Sequence, residues 1–151
     1  ADKKIDELIN VKRIPVFRSI HQPHDIISPD ESIKKPISEL KGQRICAFCG
    51  IANPKSFEQT LQVAGAKILS FNIFPDHHCY SEKEIDSLRD GFIKCGADYL
   101  LTTEKDAMRL RNHVEFLKII FILRIKMQIK PSESLFEKFI IEKVKLCQAQ
   151  K

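Results

Sequence analysis

The sequence lacks the features that would place it at once in a broad functional class. No apolar run approaches the roughly 20 residues that a transmembrane helix needs, and the charged start, ADKKIDELIN, has no apolar signal-peptide core. None of the five glycines is followed by lysine, and no GxGxxG occurs. These absences argue against a membrane-spanning helix and exclude a P-loop or a dinucleotide fingerprint within these 151 residues.

A disulfide framework is also missing. The five cysteines are odd in number and show no framework spacing, so reduced thiols in a cytoplasmic compartment are expected. The first residue is Ala and not Met, and we expect the chain to be part of a longer protein. The net charge of +5 fits an anionic partner such as phosphates, an acidic membrane surface or nucleic acid, but equally fits a protein that binds none of these.

Composition divides the chain into two regions. Residues 1–42 hold four of the seven prolines and no glycine before Gly42. RIPVFRSIHQP predicts an extended strand at an edge, because prolines flank it, and ISPDESIKKPISELKG predicts a polar connection with short turns. We predict an extended strand and linker segment over 1–42 and an α/β domain over 43–151.

Strand and helix patterns alternate from residue 43 onward. The predicted strands are QRICAFCG, AKILSFNIF, ADYLLT and LKIIFILRI. The predicted helices begin at caps and are NPKSFEQTLQVAG (cap Asn53), SEKEIDSLRDGFIKCG (cap Ser81, with a capping box to Glu84), TEKDAMRLRN (cap Thr103) and SESLFEKFIIEKVKLC (cap Ser132). The alternation predicts a short, mostly parallel, Rossmann-like sheet with helices on both faces.

Three polar loops follow predicted strands and run into helix starts: GIANP (50–54), FPDHHCY (74–80) and TTEKDA (102–107). Loops after parallel strands emerge at one edge of the sheet, where ligands bind. Free N–H groups at helix N-termini favour anions there. The sequence therefore predicts that the histidine pair lies beside a phosphate-binding rim.

Each candidate residue in these loops has a structural interpretation beside the functional one. His77 is either a general base for a hydroxyl or a solvated loop histidine, with Asp76 orienting it or capping the loop. The segment Thr103, Glu104, Lys105 and Asp106 either meets phosphate or forms a helix cap with an exposed lysine. Gly50 and Asn53 favour a turn and a cap over substrate contact.

A zinc site is a further hypothesis for this region. Cys46 and Cys49 form a CxxC, and His77, His78 and Cys79 follow. Cys46 and Cys49 fall in a predicted strand, however, where positions i and i+3 face opposite sides. Chelation by both is therefore disfavoured, as it is for His21 and His24 at a strand end, and we expect no metal site.

The three loops together resemble the C-terminal portion of the tetraacyldisaccharide 4′-kinase (lipid A 4′-kinase) family. The family runs A-G-I-G-x-P-x-x-F, F-x-D-H-H-x-Y and T-T-E-K-D-A-x-K-L are matched in order and at sensible spacing within residues 43–125. Two of the departures from the family pattern concern a loop glycine and a basic residue. Ala52 replaces a glycine, and Arg109 replaces a lysine, which keeps the charge but changes the geometry.

This resemblance implies the C-terminal part of a kinase that moves the γ-phosphate of ATP to the 4′-hydroxyl of a tetraacyldisaccharide 1-phosphate, a lipid A precursor. It implies that ATP and Mg²⁺ are held mainly by an N-terminal P-loop half, and that a histidine of the D-H-H motif is the general base together with an aspartate of that half. The base then falls on His77, with His78 as the second candidate. It also implies a site at the cytoplasmic face of the inner membrane, without a nucleic-acid partner.

Two consequences follow for the 151-residue chain itself. We expect it to be soluble and inactive as a kinase without a P-loop. The alternative function is a non-catalytic, Rossmann-like module that binds a phosphorylated ligand or a partner protein at the same rim.

Overall fold

This computed structural model describes residues 15–149, and its secondary structure extends from Arg18 to Ala149. The strands are β1 (Arg18–Ile27), β2 (Lys34–Pro36), β3 (Arg44–Cys49), β4 (Lys67–Ile73), β5 (Tyr99–Thr103) and β6 (Ile120–Lys130). The α-helices are α1 (Pro54–Val63), α2 (Glu82–Cys95), α3 (Glu104–Arg109), α4 (Val114–Leu117) and α5 (Glu133–Ala149), and a 3₁₀ helix spans Ile37–Leu40. Residues 1–14, the start of the predicted linker segment, lie outside the described residues.

The strands form one mixed sheet in the order β2-β1-β6-β5-β3-β4. β3 pairs in parallel with both β4 and β5, and β5 pairs in parallel with β6. β1 and β2 form an antiparallel pair. The predicted α/β fold with a mostly parallel sheet is therefore confirmed.

Apolar residues of β3 alternate between two cores on opposite faces of the sheet. Ile45, Ala47 and Cys49 pack in the core that contains Phe57 and Leu61 of α1. Cys46 and Phe48 pack in a second core, which also contains Ile85 and Leu88 of α2 together with Tyr80, Leu100, Leu110, Phe116 and Ile120. Because both faces of β3 are covered, its sequence is a continuous apolar run, as expected for a central parallel strand.

Three helices begin at the predicted caps, and a side-chain hydrogen bond is present at each of them. Asn53 Oδ1 accepts the backbone N–H of Ser56 at 3.2 Å. Ser81 and Glu84 form both halves of the predicted capping box. Thr103 Oγ1 accepts the backbone N–H of Asp106 at 3.2 Å. Each such cap contributes about 1 kcal/mol to helix stability, and together the caps fix the directions in which the three polar loops enter their helices.

Several elements differ from the prediction. β1 continues to Ile27, because its last residues pair with β2 through Asp25, Ile26 and Ile27. The short helix α4 was not predicted, and β6 extends to Lys130, five residues beyond the predicted strand. None of the helices in the described residues is long and apolar enough to span a bilayer.

The chain groups into two compact units. One comprises residues 23–126, with the parallel strands and both cores, and the other comprises, among the described residues, 15–22 and 127–149. In the smaller unit Phe17 packs against Phe136 and Phe139 of α5, with ring centroids 5.1 and 5.7 Å apart. This grouping differs from the predicted boundary between residues 42 and 43, which stays a prediction.

Candidate functional site

The polar loops meet at the edge of the sheet where the neighbouring strands β3 and β5 end. β3 leads into α1 on one face, whereas β5 leads into α3, whose Ala107 packs with Ile122 on the other face. The helices thus leave the two strands in opposite directions. In parallel sheets such a switch point opens a crevice at the carboxyl ends of the strands, where ligands bind.

The buried carboxylate of Asp106 connects the three loops. Its side chain is 0% exposed. Oδ2 accepts the backbone N–H of Gly50 at 3.1 Å and the Thr103 hydroxyl at 2.7 Å, and Oδ1 accepts the Tyr80 hydroxyl at 3.0 Å. One side chain therefore ties the loop after β3, the loop after β4 and the start of α3 to one another.

Arg109 supplies the positive charge that balances this carboxylate. Its Nη1 donates to Asp106 Oδ1 at 3.1 Å and to the Gly50 carbonyl at 2.9 Å. Its Nη2 lies 3.0 Å from Nδ1 of His77. The guanidinium thus extends from the buried carboxylate to the exposed imidazole, a span that its planar fork of donors suits.

His77 presents its side chain at the surface of the site. The side chain is 79% exposed, and Nε2 lies 3.7 Å from Asp76 Oδ2. Its backbone is left-handed, with φ at 60°. That conformation is uncommon for a residue with a side chain, and it is held here because the His77 N–H donates to Asp76 Oδ1 at 2.9 Å and to the Gly50 carbonyl at 3.3 Å.

His78 has the opposite environment. Its side chain is 20% exposed, and its ring stacks on Phe74 with 4.9 Å between centroids and 22° between planes. Nε2 lies 3.0 Å from Oε1 of Glu84, the capping-box residue of α2. His78 therefore fastens the loop to the start of the helix, whereas His77 is free to meet a ligand.

The pKa values around the site follow from these contacts. Hydrogen bonds from the Ser81 backbone, the Ser81 hydroxyl and His78 lower the pKa of Glu84 to about 2, so it is a carboxylate at neutral pH. Burial, reinforced by the charge of Asp106, raises the pKa of Tyr80 well above its ordinary value. Tyr80 is therefore a neutral donor to Asp106.

Of the remaining predicted residues, some shape the loops and others are exposed at the surface of the site. Gly50 is buried, and a Cβ there would lie 3.0 Å from the Pro75 carbonyl oxygen and 3.2 Å from Asp106 Oδ1, so the close approach of the loops requires glycine. Asn53 caps α1. Glu104 and Lys105 are exposed in the first turn of α3, where they are accessible to a ligand or a partner.

The cysteines of the CxxC are separated by the sheet. Cys46 and Cys49 belong to the cores on opposite faces, and neither makes a disulfide. Among residues 15–149, no group of three or more His, Cys, Asp and Glu side chains is arranged to hold a metal ion. The described part of the chain thus offers zinc no ligand set that includes both cysteines.

Three contacts of the candidate site were not predicted from the sequence. The hydrogen bonds of Asp106 to Gly50 and Tyr80 join residues 56 and 26 positions apart, which no local pattern encodes. The contact of Arg109 with His77 was also missed. The one available signal for it was the arginine at a position where the resembled motif has lysine.

The sequence of this chain matches one family along nearly its whole length. The model of the tetraacyldisaccharide-1-P 4′-kinase family matches residues 1–145. The tetraacyldisaccharide 4′-kinase of Syntrophus aciditrophicus is 38% identical over 131 residues, covering 87% of this chain and 35% of its own. That of Desulfatibacillum aliphaticivorans is 29% identical over 140 residues, covering 87% and 38%. The chain thus spans about a third of the length of these relatives.

The fold has a solved counterpart. The crystal structure of the apo form of LpxK from Aquifex aeolicus in complex with ATP superposes with a TM-score of 0.53 at 22% identity, covering 93% of this chain and 44% of that one. At this identity the comparison bears on the fold alone.

Proposed function

The chain belongs to the tetraacyldisaccharide-1-P 4′-kinase family, and we propose that it is the C-terminal part of an ATP-dependent kinase of lipid A biosynthesis. The acceptor is the 4′-hydroxyl of a tetraacyldisaccharide 1-phosphate. ATP and Mg²⁺ are held mainly by a P-loop half, because none of the glycines of this chain begins a Gly-Lys pair. The site is completed when the two parts meet at the cytoplasmic face of the inner membrane.

The observation that carries this proposal is the exposed imidazole of His77 at the edge where the three loops join. Phosphoryl transfer requires positioning and charge stabilisation more than covalent chemistry. An exposed histidine, held by backbone hydrogen bonds and a fixed guanidinium, satisfies the positioning requirement. His77 is therefore the group proposed to take the proton of the acceptor hydroxyl while the oxygen attacks the γ-phosphorus.

The other residues of the site divide the supporting roles. Asp76 fixes the left-handed turn at His77 and keeps a carboxylate beside its Nε2. Glu104 and Lys105 are proposed to contact substrate phosphate or the P-loop half. Five further residues are proposed to hold the loops in position, and these are Gly50, Asn53, His78, Thr103 and Asp106.

A chimera between this chain and a relative tests the proposal. Residues 15–149 replace the corresponding part of the Syntrophus aciditrophicus relative, and transfer of γ-phosphate to a tetraacyldisaccharide 1-phosphate is measured. We expect the chimera to be active, His77→Ala to lower kcat by about 100-fold or more with substrate binding preserved, and His21→Ala, at an exposed histidine of β1, to have no effect. Unchanged turnover in His77→Ala would remove this histidine from the chemistry.

A non-catalytic module remains the alternative, because the chain has an anion-favouring rim but no P-loop. Two observations together would favour this alternative. The 151-residue chain would bind a phosphorylated ligand saturably, and the His77→Ala chimera would keep full activity. Under the kinase proposal the 151-residue chain alone has no kinase activity, and detectable turnover by it would contradict the assignment of ATP to the other half.

A further inference from the structure

The contact between Arg109 and His77 constrains where the imidazole carries its proton. Arginine has five N–H donors and no acceptor, and it stays protonated in proteins. Nη2 of Arg109 lies 3.0 Å from Nδ1 of His77. Two donors cannot share this contact, so Nδ1 must accept, and the hydrogen of a neutral ring lies on Nε2.

The other side of the ring agrees with this arrangement. The carboxylate of Asp76 lies beside Nε2, with Oδ2 at 3.7 Å. A carboxylate only accepts hydrogen bonds. An N–H at Nε2 therefore faces an acceptor, and an N–H at Nδ1 would face a donor.

Arg109 is itself fixed, so the contact is more than a chance meeting of two surface side chains. Nη1 is held by the Gly50 carbonyl at 2.9 Å and by Asp106 Oδ1 at 3.1 Å. The side chain is 20% exposed, and its carboxylate partner is fully buried. Nη1 is therefore fixed on the buried side, and Nη2 is the nitrogen that meets His77.

We propose that Arg109 is the positioning residue that fixes the tautomer of His77, so that the ligand-free ring has its lone pair at Nδ1 occupied and presents an N–H at Nε2. The catalytic consequence rests on the proposed function. A ring in this form has no free lone pair, so it can accept the hydroxyl proton only after Nη2 leaves Nδ1. The proton then passes from the hydroxyl oxygen to the released ring nitrogen, and the hydroxyl oxygen uses the electron pair of its broken O–H bond to bond to the γ-phosphorus of ATP. The bond from that phosphorus to the bridging oxygen breaks, and ADP leaves with its electron pair.

Nitrogen-15 NMR of the uniformly nitrogen-15-labelled 151-residue chain tests this proposal without reference to activity. Two-bond correlations between ring carbon-bound protons and nitrogens distinguish an accepting Nδ1 from a protonated one. The His77 signals are assigned with His77→Asn, since asparagine tolerates the left-handed backbone at this position. Spectra are recorded for the wild type, Arg109→Ala, Arg109→Lys and Arg111→Ala, the last being an exposed neighbour as a matched control.

We expect the neutral ring of wild-type His77 to occupy a single tautomer, with an accepting Nδ1 and a protonated Nε2. In Arg109→Ala the two nitrogen resonances move toward each other, because the ring then exchanges between both tautomers. Arg109→Lys restores part of the separation, and Arg111→Ala leaves the wild-type pattern. The His78 signals stay unchanged in all variants and report that the loop is intact, as does the Gly50 amide.

Three results would overturn the proposal. They are a protonated Nδ1 in the wild type, exchange between tautomers already in the wild type, and an unchanged His77 pattern in Arg109→Ala with His78 and Gly50 intact. If Arg109→Ala disturbs His78 or Gly50, the wild-type pattern and Arg109→Lys decide. These readouts do not depend on turnover, so a kinase-inactive chimera would refute the proposed function and leave the tautomer assignment standing.

Discussion

The hydroxyl of Tyr80 donates to Oδ1 of Asp106 at 3.0 Å, across 26 positions of the chain and inside the folded structure. This contact joins the histidine-containing loop to the start of α3, and the hydrogen bond from the Gly50 N–H adds the loop after β3. A fully buried carboxylate, which a ligand at this edge would not reach, therefore holds the three loops together.

Asp106→Asn is expected to lower the free energy of unfolding by about 3 kcal/mol, because it removes a buried charge that pairs with Arg109. The amide also replaces an acceptor oxygen by a donor beside the Gly50 N–H or the Tyr80 hydroxyl. Urea unfolding followed by circular dichroism measures the change. Asp86→Asn is the matched control, since its pair with Arg89 is on the exposed side of a helix, and it should change stability by less than about 0.5 kcal/mol. Equal effects of the two substitutions would show that Asp106 has no organising role.

The two adjacent histidines are expected to separate stability from function. His78→Ala removes the stack on Phe74 and the contact with Glu84, and should lower the unfolding free energy by about 1–2 kcal/mol. His77→Asn keeps a residue that accepts the left-handed backbone and removes only an exposed ring, so a change below about 0.5 kcal/mol is expected. Urea unfolding of both variants measures the difference, and a larger loss in His77→Asn would reverse the roles assigned to the pair.

Asp25 is expected to make unfolding depend on pH in the acidic range. The hydrogen bonds from Arg124, at 2.7 and 2.6 Å, are the largest cause that lowers its pKa from 3.8 to about 2. Between these values the unfolded chain binds more protons than the folded one. The stabilisation is therefore complete above pH 3.8 and is lost as the pH falls through about 2, a contribution on the order of 2 kcal/mol.

Urea unfolding from pH 5 to pH 2 measures this contribution as a slope. Asp25→Asn should remove it, and Arg124→Leu should remove most of it, because the guanidinium is its main source. The variants are compared by their slopes and not by their absolute stabilities, which fall in both. A wild-type slope that survives in Asp25→Asn would assign the acid sensitivity to other carboxylates.

The cysteines are expected to react in the order of their exposure. Burial raises the pKa of both Cys46 and Cys49 to about 11, so these thiols are protonated as well as shielded. Cys79 and Cys147 are exposed. Brief iodoacetamide treatment of the native chain should label Cys79 and Cys147, with Cys46 and Cys49 labelled only after denaturation, as peptide mass spectrometry would show. Native labelling of Cys46 as fast as Cys79 would mean that the sheet opens readily.

The sequence predicts the local part of this structure well. The caps at Asn53, Ser81 and Thr103 each involve a hydrogen bond to a residue three positions on, so the pattern and the contact lie within one turn. The alternation of strands and helices likewise implies the parallel sheet, because a right-handed crossover leaves few other arrangements.

The long-range part of the site could not be derived in the same way. Asp106 was predicted from its position in the motif as part of a charged helix start, and its burial depends on contacts with Gly50 and Tyr80 that only the packed fold creates. The different environments of His77 and His78 also depend on the fold. His77 has a left-handed backbone and an exposed ring, whereas the ring of His78 stacks on Phe74.

The missing side chain at Gly50 has a consequence for transplanting this site into another protein. A Cβ there would lie 3.2 Å from both His78 Cβ and Asp106 Oδ1, so each loop is shaped by the surfaces of the other two. If the histidine loop alone were grafted, it would lack the contacts with the other two loops that hold its conformation. The smallest portable piece is the set of three loops with Tyr80, Asp106 and Arg109, moved together onto a scaffold whose adjacent parallel strands end in the same stagger.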